Sequence, residues 1–478
     1  MKYRRKKVLV IGTGLSGIGA VQLLSGEGAQ VTLLEQNEKA EEEKIREKLA
    51  EVLPEGQPEH VRIIIGSLPE KNPGTAEDSS AGTVFAEDFD LVVPSPAVPL
   101  DSPLLKRLQE AGVPVISEIE LGFRSELGTV LAITGTNGKT TTTTLVGEIM
   151  KAAVGEKYSR VFVVGNIGRS YAAAAPETSE DSVTVGEISS FQLEAAQSFH
   201  PAVSAILNIT PDHLNRHYTM QNYAAIKERI ARNQTAEDTC VLNYEDPWLR
   251  AYGEYLCPAH VVWFSSATKL NEGFWLDGED IIRSDGRGND RKLLNVQEMQ
   301  LVGVCNAENV MASMAVAEAA GVPMETIVSV VRSFPPVPHR IEFAGEKRGV
   351  KYYNDSKATN PDAAIQGIRA MSGPTILIGG GYDKKNSYDE WIEAFDGKVK
   401  KLVLIGQTKE DIAACARAHG FEEILFCETF EECLKTCTSL AVPGDAVLLS
   451  PACASWGMFP NYEVRGDIFK EYVRNLNE

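Results

Sequence analysis

Short apolar runs of strand length recur along the chain at 8–11, 31–34, 91–93 and 113–116, then at 130–134, 161–164, 183–185 and 203–207. A third set follows at 351–354, 375–378, 402–405 and 446–449. Helix-length segments separate them. Short apolar strands alternating with helices read as βαβ units, so the pattern predicts an α/β chain built on parallel sheets. No repeat of short fixed period is present. Two boundaries stand out. Near Leu127 and Gly128 a helical pattern gives way to the strand at 130–134. At 334–338, Pro335, Pro336 and Pro338 forbid regular structure and mark a stiff linker. The expected division is three domains, 1–127, 128–336 and 337–478. The 66–90 segment, rich in Pro, Gly, Ser and acidic residues, is expected to include an exposed loop, and 35–51 to form a charged helix with a solvated face rather than a binding site.

Length agrees with three domains, since 478 residues at about 150 per domain gives about three. A hydrophobic fraction of 43% excludes a disordered or fibrous chain. With 47 basic and 66 acidic side chains the formal charge is 47 − 66 = −19, which repels nucleic acid and anionic lipid. An anionic substrate therefore needs a locally basic pocket. The eight cysteines fall at or after Cys240 without a CxxC pair, which fits a reducing compartment and weighs against a disulfide or metal framework. Basic residues at 2–7 precede an uncharged stretch at 8–26, as in a signal peptide, but Gly12, Gly14, Gly17 and Gly19 break it. No segment reaches about 18 apolar residues, so a cytoplasmic protein without membrane insertion is expected.

The strongest chemical signal follows the strand at 130–134. Gly135, Thr136, Asn137, Gly138, Lys139, Thr140 and Thr141 form a phosphate loop that opens a helix. Its glycines let backbone N–H groups approach phosphate oxygens, Lys139 would reach the β- and γ-phosphates of a nucleotide, and Thr140 would ligate Mg²⁺. Ile133 stands where the consensus has its first glycine, so the loop is a variant. The turn from Gly12 to Gly17, with Glu35 at the end of the next strand, fits a pyrophosphate-binding turn as well as a ligand-free glycine turn.

Further polar groups gather at strand exits, where α/β proteins bind ligands. Glu187 is a candidate Mg²⁺ ligand, and His213 lies in a loop with Asp212 and Arg216. Asp355 and Lys357 stand two apart and are expected to face one site. Lys384 follows three glycines, and 450–459 is expected to open a helix with small residues. Composition alone makes Lys227 an exposed helix lysine.

Taken together, these residues resemble the Mur ligase family of peptidoglycan assembly. The likeness rests on 135–140, on His339 and Arg340, and on 354–359 (Asn-Asp-Ser-Lys-Ala-Thr). Residues 187–194 (Glu-Ile-Ser-Ser-Phe-Gln-Leu-Glu) and 450–455 (Ser-Pro-Ala-Cys-Ala-Ser) are most like the family's D-glutamate-adding member. A lysine- or diaminopimelate-adding relative would carry a histidine at Phe191 and an Asp-Asn-Pro-Arg motif, which is absent.

The resemblance implies an N-terminal Rossmann-like domain, a central P-loop ATPase domain and a C-terminal Rossmann-like domain. It implies ATP and Mg²⁺ as cofactors, UDP-N-acetylmuramoyl-L-alanine and D-glutamate as substrates, and a monomer. Leu15, Ser16, Glu35 and Asn37 would lie near UDP, and Asn166 would contact the same substrate. Lys227 would become a carbamate and hold Mg²⁺ with Thr140, Glu187 and His213. Asn309 and Arg340 would contact adenosine and Asp355 its ribose, while Lys357 would stabilise an acyl phosphate. Thr359 would contact substrate, and Lys384, Ser455 and Tyr462 would grip the carboxylates of D-glutamate. Cys305, Asn215, Tyr462 and Ala97 depart from the family pattern, and the segment between Glu35 and Asp90 is longer than usual. A folylpolyglutamate-type ligase, a nicotinamide oxidoreductase and a non-catalytic nucleotide-binding module remain the competing readings.

Overall fold

A computed structural model describes residues 2–68, 85 and 88–477. The first sheet contains β1 (Lys7–Ile11), β2 (Gln30–Glu35), β3 (Arg62–Ile65) and β4 (Leu91–Pro94) in the order β3-β2-β1-β4, all parallel. β1 shows why its sequence is continuously apolar. Val8 and Val10 join one core cluster, whereas Leu9 and Ile11 join another, so both faces of the strand are covered. The uncharged stretch 8–26 is thus a central strand, a glycine turn and the helix Leu15–Gly26. Among the described residues no helix is long and apolar enough to cross a membrane.

Two local expectations change. The run 113–116 is not a strand: it makes only an isolated bridge between Val92 and Val115, because Pro114 interrupts it and cannot donate to a ladder. The charged helix is shorter than expected, Glu42–Val52; Glu42, Glu43, Lys44, Glu47 and Lys48 form its exposed face, and Ile45 and Leu49 are buried. Most of the 66–90 segment lies outside the described residues.

The second sheet takes β5 (Thr129–Thr134), β6 (Arg160–Gly165), β7 (Ser182–Glu187), β8 (Val203–Ile206), β9 (Thr239–Asn243), β10 (His260–Ser265), β11 (Glu272–Asp277), β12 (Asp280–Asp285) and β13 (Asp290–Asn295). Its order is β13-β12-β11-β10-β9-β8-β5-β7-β6, and the run from β10 to β6 is parallel. The third sheet has β14 (Glu342–Lys347), β15 (Val350–Asn354), β16 (Thr375–Gly379), β17 (Val399–Leu404), β18 (Ile424–Phe426) and β19 (Ala446–Leu449). Its order is β14-β15-β19-β16-β17-β18, with only the edge strand β14 antiparallel. The α/β class is therefore as expected. Residues 334–337 adopt neither helix nor strand.

The chain divides into two compact units. One is Met1–Phe274 with Ser284–Asn289 and Ala312–Val330; the other is Trp275–Arg283 with Asp290–Met311 and Val331–Glu478. In the first unit, strand order reverses at β1 and again at β5, with later strands adding on both sides of each. Crevices form at such switch points, beyond the carboxyl ends of the strands. Both glycine loops of the sequence lie there.

Close backbone approach explains Gly17. A Cβ on it would lie 1.9 Å from the Gly12 carbonyl oxygen, whereas one on Gly14 would meet nothing within 4 Å. Gly17→Ala is expected to cost about 1–3 kcal/mol through this backbone clash, read as a lowered urea midpoint. Gly14→Ala should stay within about 0.5 kcal/mol of the parent. Equal shifts in the two variants would refute the steric account.

Candidate active site

The phosphate loop is held in shape by the exit of β8. Gly135 (φ +150°) and Gly138 (φ +84°) take backbone conformations that disfavour side chains. A Cβ on Gly135 would also press on Leu207 Cβ at 3.0 Å. Thr136 N–H donates to the Asn208 carbonyl (2.9 Å) and Asn137 N–H to Asn208 Oδ1 (2.8 Å). Thr136 Oγ1 accepts from Thr210 N–H (3.0 Å) and lies 3.2 Å from the Tyr223 hydroxyl, so this side chain braces the loop. Gly138 caps the helix Lys139–Ala152 without a side-chain acceptor, and such a helix start favours an anion. Lys139 Nζ folds back to donate to the carbonyls of Gly135 and Thr136, both at 2.9 Å. Thr140 and Thr141 are buried in the first turn.

Lys227 is not an exposed helix lysine. It is 1% exposed, its Nζ donates to the Gly135 carbonyl at 2.7 Å, and it lies 4.7 Å from the centre of the Tyr223 ring. Burial, and next the charge of Lys139, hold its pKa well below the ordinary lysine value. A signal was present in the sequence. On the helix Met220–Glu228 the buried positions are Tyr223, Ala224 and Lys227, so the lysine continues the apolar face.

Glu187 ends β7 and is 1% exposed. Its Oε1 accepts from Asn166 Nδ2 at 2.7 Å, and Asn166 N–H donates to the Glu187 carbonyl at 2.9 Å. Its Oε2 is buried without a hydrogen-bond partner. A carboxylate oxygen left this way is costly unless a cation or donor completes it, and the position fits a divalent ion. His213 has a left-handed backbone (φ +54°), stays partly exposed, and lies 3.4 Å from Asp212 and 4.7 Å from the Phe191 ring. Its neighbour His217 is the buried imidazole, 3.0 Å from Ser190 Oγ, with its pKa pushed down to about 4 by burial and then by Arg216.

Around the first glycine turn, Gly14 leads into the helix Leu15–Gly26, again without a side-chain cap, and Leu15 is 62% exposed. Ser16 is half-buried and Asn37 exposed. The Glu35 carboxylate accepts from Thr13 Oγ1 and from Asn37 N–H (3.0 Å), which ties the two strand exits together.

The second unit holds the other predicted residues. Asp355 is buried, accepts from Ser450 Oγ (2.7 Å) and Ile341 N–H (3.2 Å), and has its pKa pushed up to about 7 by burial. Lys357 Nζ sits 5.4 Å over the Tyr462 ring. Arg340 lies between His339 (φ +65°) and Ile341 (φ +44°). Asn309 Nδ2 donates to Asn306 Oδ1 at 3.2 Å, and Cys305, just before, has its thiol pushed up to about 12 by burial. Thr359 N–H donates to the Lys357 carbonyl. Lys384 is exposed, 5.1 Å over the Trp456 ring, and Ser455 is buried. Residues 450–459 do not open a helix. They form turns, and the next helix, Tyr462–Asn475, starts after Asn461, whose side chain accepts from Val464 N–H.

Residues 133–317 match the Mur ligase middle domain, and 339–453 match the Mur ligase glutamate ligase domain. The UDP-N-acetylmuramoylalanine–D-glutamate ligase of Lachnospira eligens is 53% identical over 476 residues, covering 100% of both chains. The namesake from Lachnoclostridium phytofermentans is 50% identical over 478 residues, again covering 100% of both. The chain belongs to the Mur ligase family. Solved structures agree on the fold. UDP-N-acetylmuramate-alanine ligase MurC from Thermotoga maritima matches with a TM-score of 0.57 at 19% identity, covering 98% of this chain and 99% of that one. MurF ligase from Thermotoga maritima, solved in complex with ADP, matches with a TM-score of 0.55 at 17% identity, covering 99% and 96%.

In this Mur ligase two arginines organise the loops, although sequence reasoning assigned them no role. Arg216 pairs with both Glu194 oxygens (2.8 and 2.5 Å), donates to the Pro96 and Val98 carbonyls, and lies 4.1 Å over the Phe191 ring. It thereby ties the loop after β4 to the loop after β8. Arg465 is 1% exposed and donates to Ser356 Oγ, the Ser356 carbonyl and the Cys453 carbonyl, joining the exits of β15 and β19. Its sequence signal was a charge on the buried face shared by Gly466, Phe469 and Val473.

Asp355 sets a pH dependence. Its pKa stands at about 7 in the fold against an ordinary 3.8, so its charged form is the disfavoured one in the folded state. The stability linked to it is intact below about pH 4 and is lost as pH rises towards 7. Urea unfolding of Asp355→Asn should therefore gain on the parent steadily between those limits and run parallel above them. A difference that does not change with pH would contradict this assignment.

Proposed function

We propose that this Mur ligase adds D-glutamate to UDP-N-acetylmuramoyl-L-alanine at the expense of ATP, in peptidoglycan precursor synthesis. The observation that carries the reading is 53% identity, along the whole of both chains, to a relative of that name. The three-part division at 1–127, 128–336 and 337–478 belongs to the proposal, with one part for each substrate.

A carboxylate is a poor acyl donor because its leaving group would be oxide. In the proposed reaction an oxygen of the L-alanyl carboxylate attacks the γ-phosphorus of ATP, the bond to ADP breaks, and an acyl phosphate forms. The D-glutamate amine then attacks the carbonyl carbon and loses a proton, and phosphate leaves as the amide is completed. Lys139 would swing from the Gly135 and Thr136 carbonyls to the β- and γ-phosphate oxygens, beside the N–H groups at the helix start, 138–141. Thr140, Glu187, His213 and Lys227 would hold Mg²⁺, for which the unpartnered Glu187 Oε2 is the supporting feature. The ion would supply neutralisation of the phosphoryl charge.

Lys227 would serve as a carbamate. A neutral amine can attack CO₂, forming an N–C bond and releasing a proton, whereas an ammonium has no lone pair. Burial beside Lys139 favours the neutral amine. Asn309, Arg340 and Asp355 would take the adenosine side of ATP, and Lys357 the acyl phosphate. Thr359 would contact substrate, and Lys384, Ser455 and Tyr462 would hold D-glutamate. Leu15, Ser16, Glu35, Asn37 and Asn166 would lie along the UDP substrate.

Phosphate release from ATP should require UDP-N-acetylmuramoyl-L-alanine and D-glutamate together. Lys139→Ala should lower it by about 10²-fold or more; near-normal turnover would sink the role of the loop. With ¹³C-bicarbonate, the parent should show a carbamate carbon resonance that Lys227→Ala lacks, and its activity should fall when CO₂ is removed. A Lys227→Ala variant with full activity in CO₂-free buffer would end the carbamate proposal.

A further inference from the structure

The second unit carries a group of metal-ligating side chains that the proposed reaction does not use. The helix Asp389–Glu393 follows the loop after β16, and the helix Lys409–Ala418 follows β17. Trp391 and Ile392 from one, and Ile412, Ala413 and Ala416 from the other, are buried in the same core cluster, which fixes the two helices side by side. Cys415 and His419 are four residues apart on the second helix and its C-cap, so both point to one face. Asp389 opens the first helix opposite them. His419 Nε2 lies 2.9 Å from Asp389 Oδ1, and Cys415 Sγ lies 3.6 Å from the same oxygen.

We propose that Asp389, Cys415 and His419 form a binding site for a single Zn²⁺ ion. Thiolate, imidazole and carboxylate are the ligand types that Zn²⁺ takes, at about 2.3, 2.0 and 2.0 Å respectively. Tetrahedral placement at those lengths separates neighbouring ligand atoms by about 3.3–3.6 Å. The three ligand atoms here already lie within 4.8 Å of one another, so loading needs rotamer adjustments rather than backbone movement. The surrounding contacts are those that orient metal ligands. Ser387 Oγ donates to Asp389 Oδ2, leaving Oδ1 turned towards the thiol and the imidazole. The Glu393 carboxylate lies 3.8 Å from His419 Nδ1, where it would accept the second ring proton and fix the tautomer with Nε2 towards the metal. Water from the exposed side would take the fourth position. The ion would tether the helix that begins five residues after Lys384 to the rest of the unit.

Co²⁺ is the probe, because thiolate ligation produces a near-UV charge-transfer band that carboxylates and imidazole alone do not. The chelator-treated full chain, in excess Mg²⁺, should bind one equivalent of Co²⁺ with that band, and Zn²⁺ should displace it. Cys415→Ser should abolish the band, His419→Gln should weaken binding by about 10²-fold, and Glu393→Gln by about tenfold. Zn²⁺ should raise the thermal midpoint of the parent but not of Cys415→Ser, with the far-UV spectra of the two alike. A band that persists in Cys415→Ser, or Co²⁺ uptake without any band, would overturn the proposal and leave an Asp389–His419 ion pair beside an ordinary thiol.

Discussion

One carbonyl oxygen holds two lysines. Gly135 accepts from Lys139 Nζ at 2.9 Å and from Lys227 Nζ at 2.7 Å, inside a protein whose net charge is −19. Burial, and next the charge of Lys139 on the same acceptor, hold the pKa of Lys227 well below the ordinary lysine value. This constraint shapes the first unit's site. It demands a backbone that presents the Gly135 carbonyl to both side chains, which the positive-φ glycines and the Asn208 brace supply. It also keeps Lys139 Nζ folded onto the Gly135 and Thr136 carbonyls.

The acidic end of the same site has the complementary defect. Glu187 has one oxygen satisfied by Asn166 and one buried without a partner. An under-satisfied carboxylate and an uncapped helix start stand on the neighbouring exits of β7 and β5, and a low-pKa amine reaches the Gly135 carbonyl from the helix Met220–Glu228. Each is unfavourable in isolation, and each is the kind of local frustration that a functional site carries. The second unit repeats the theme with Asp355, buried and half-protonated near neutrality.

Much of this was legible without coordinates. The α/β class, most of the parallel strands, the phosphate loop and Glu187 at a strand exit followed from apolar periodicity and glycine spacing, because those signals are local. The failures share a cause. The 113–116 run looked like a strand from its apolar content, but Pro114 left it a single bridge. Lys227 looked exposed because a charge normally is, and only its place beside Tyr223 and Ala224 hinted otherwise. Residues 450–459 had the small side chains of a helix start, yet they turn until Asn461 supplies the cap. Arg216 and Arg465 gain their bracing roles from carbonyl partners far away in sequence.

Sequence alone therefore determined what depends on neighbours within a few residues: strand and helix periods, glycine turns, and the family to which those motifs point. Tertiary structure decided which charges lose water and which gain partners. Burial is a property of all surrounding chains at once, so the depressed pKa of Lys227, the raised pKa of Asp355 and the meeting of Asp389 with Cys415 and His419 could arise only in the folded protein.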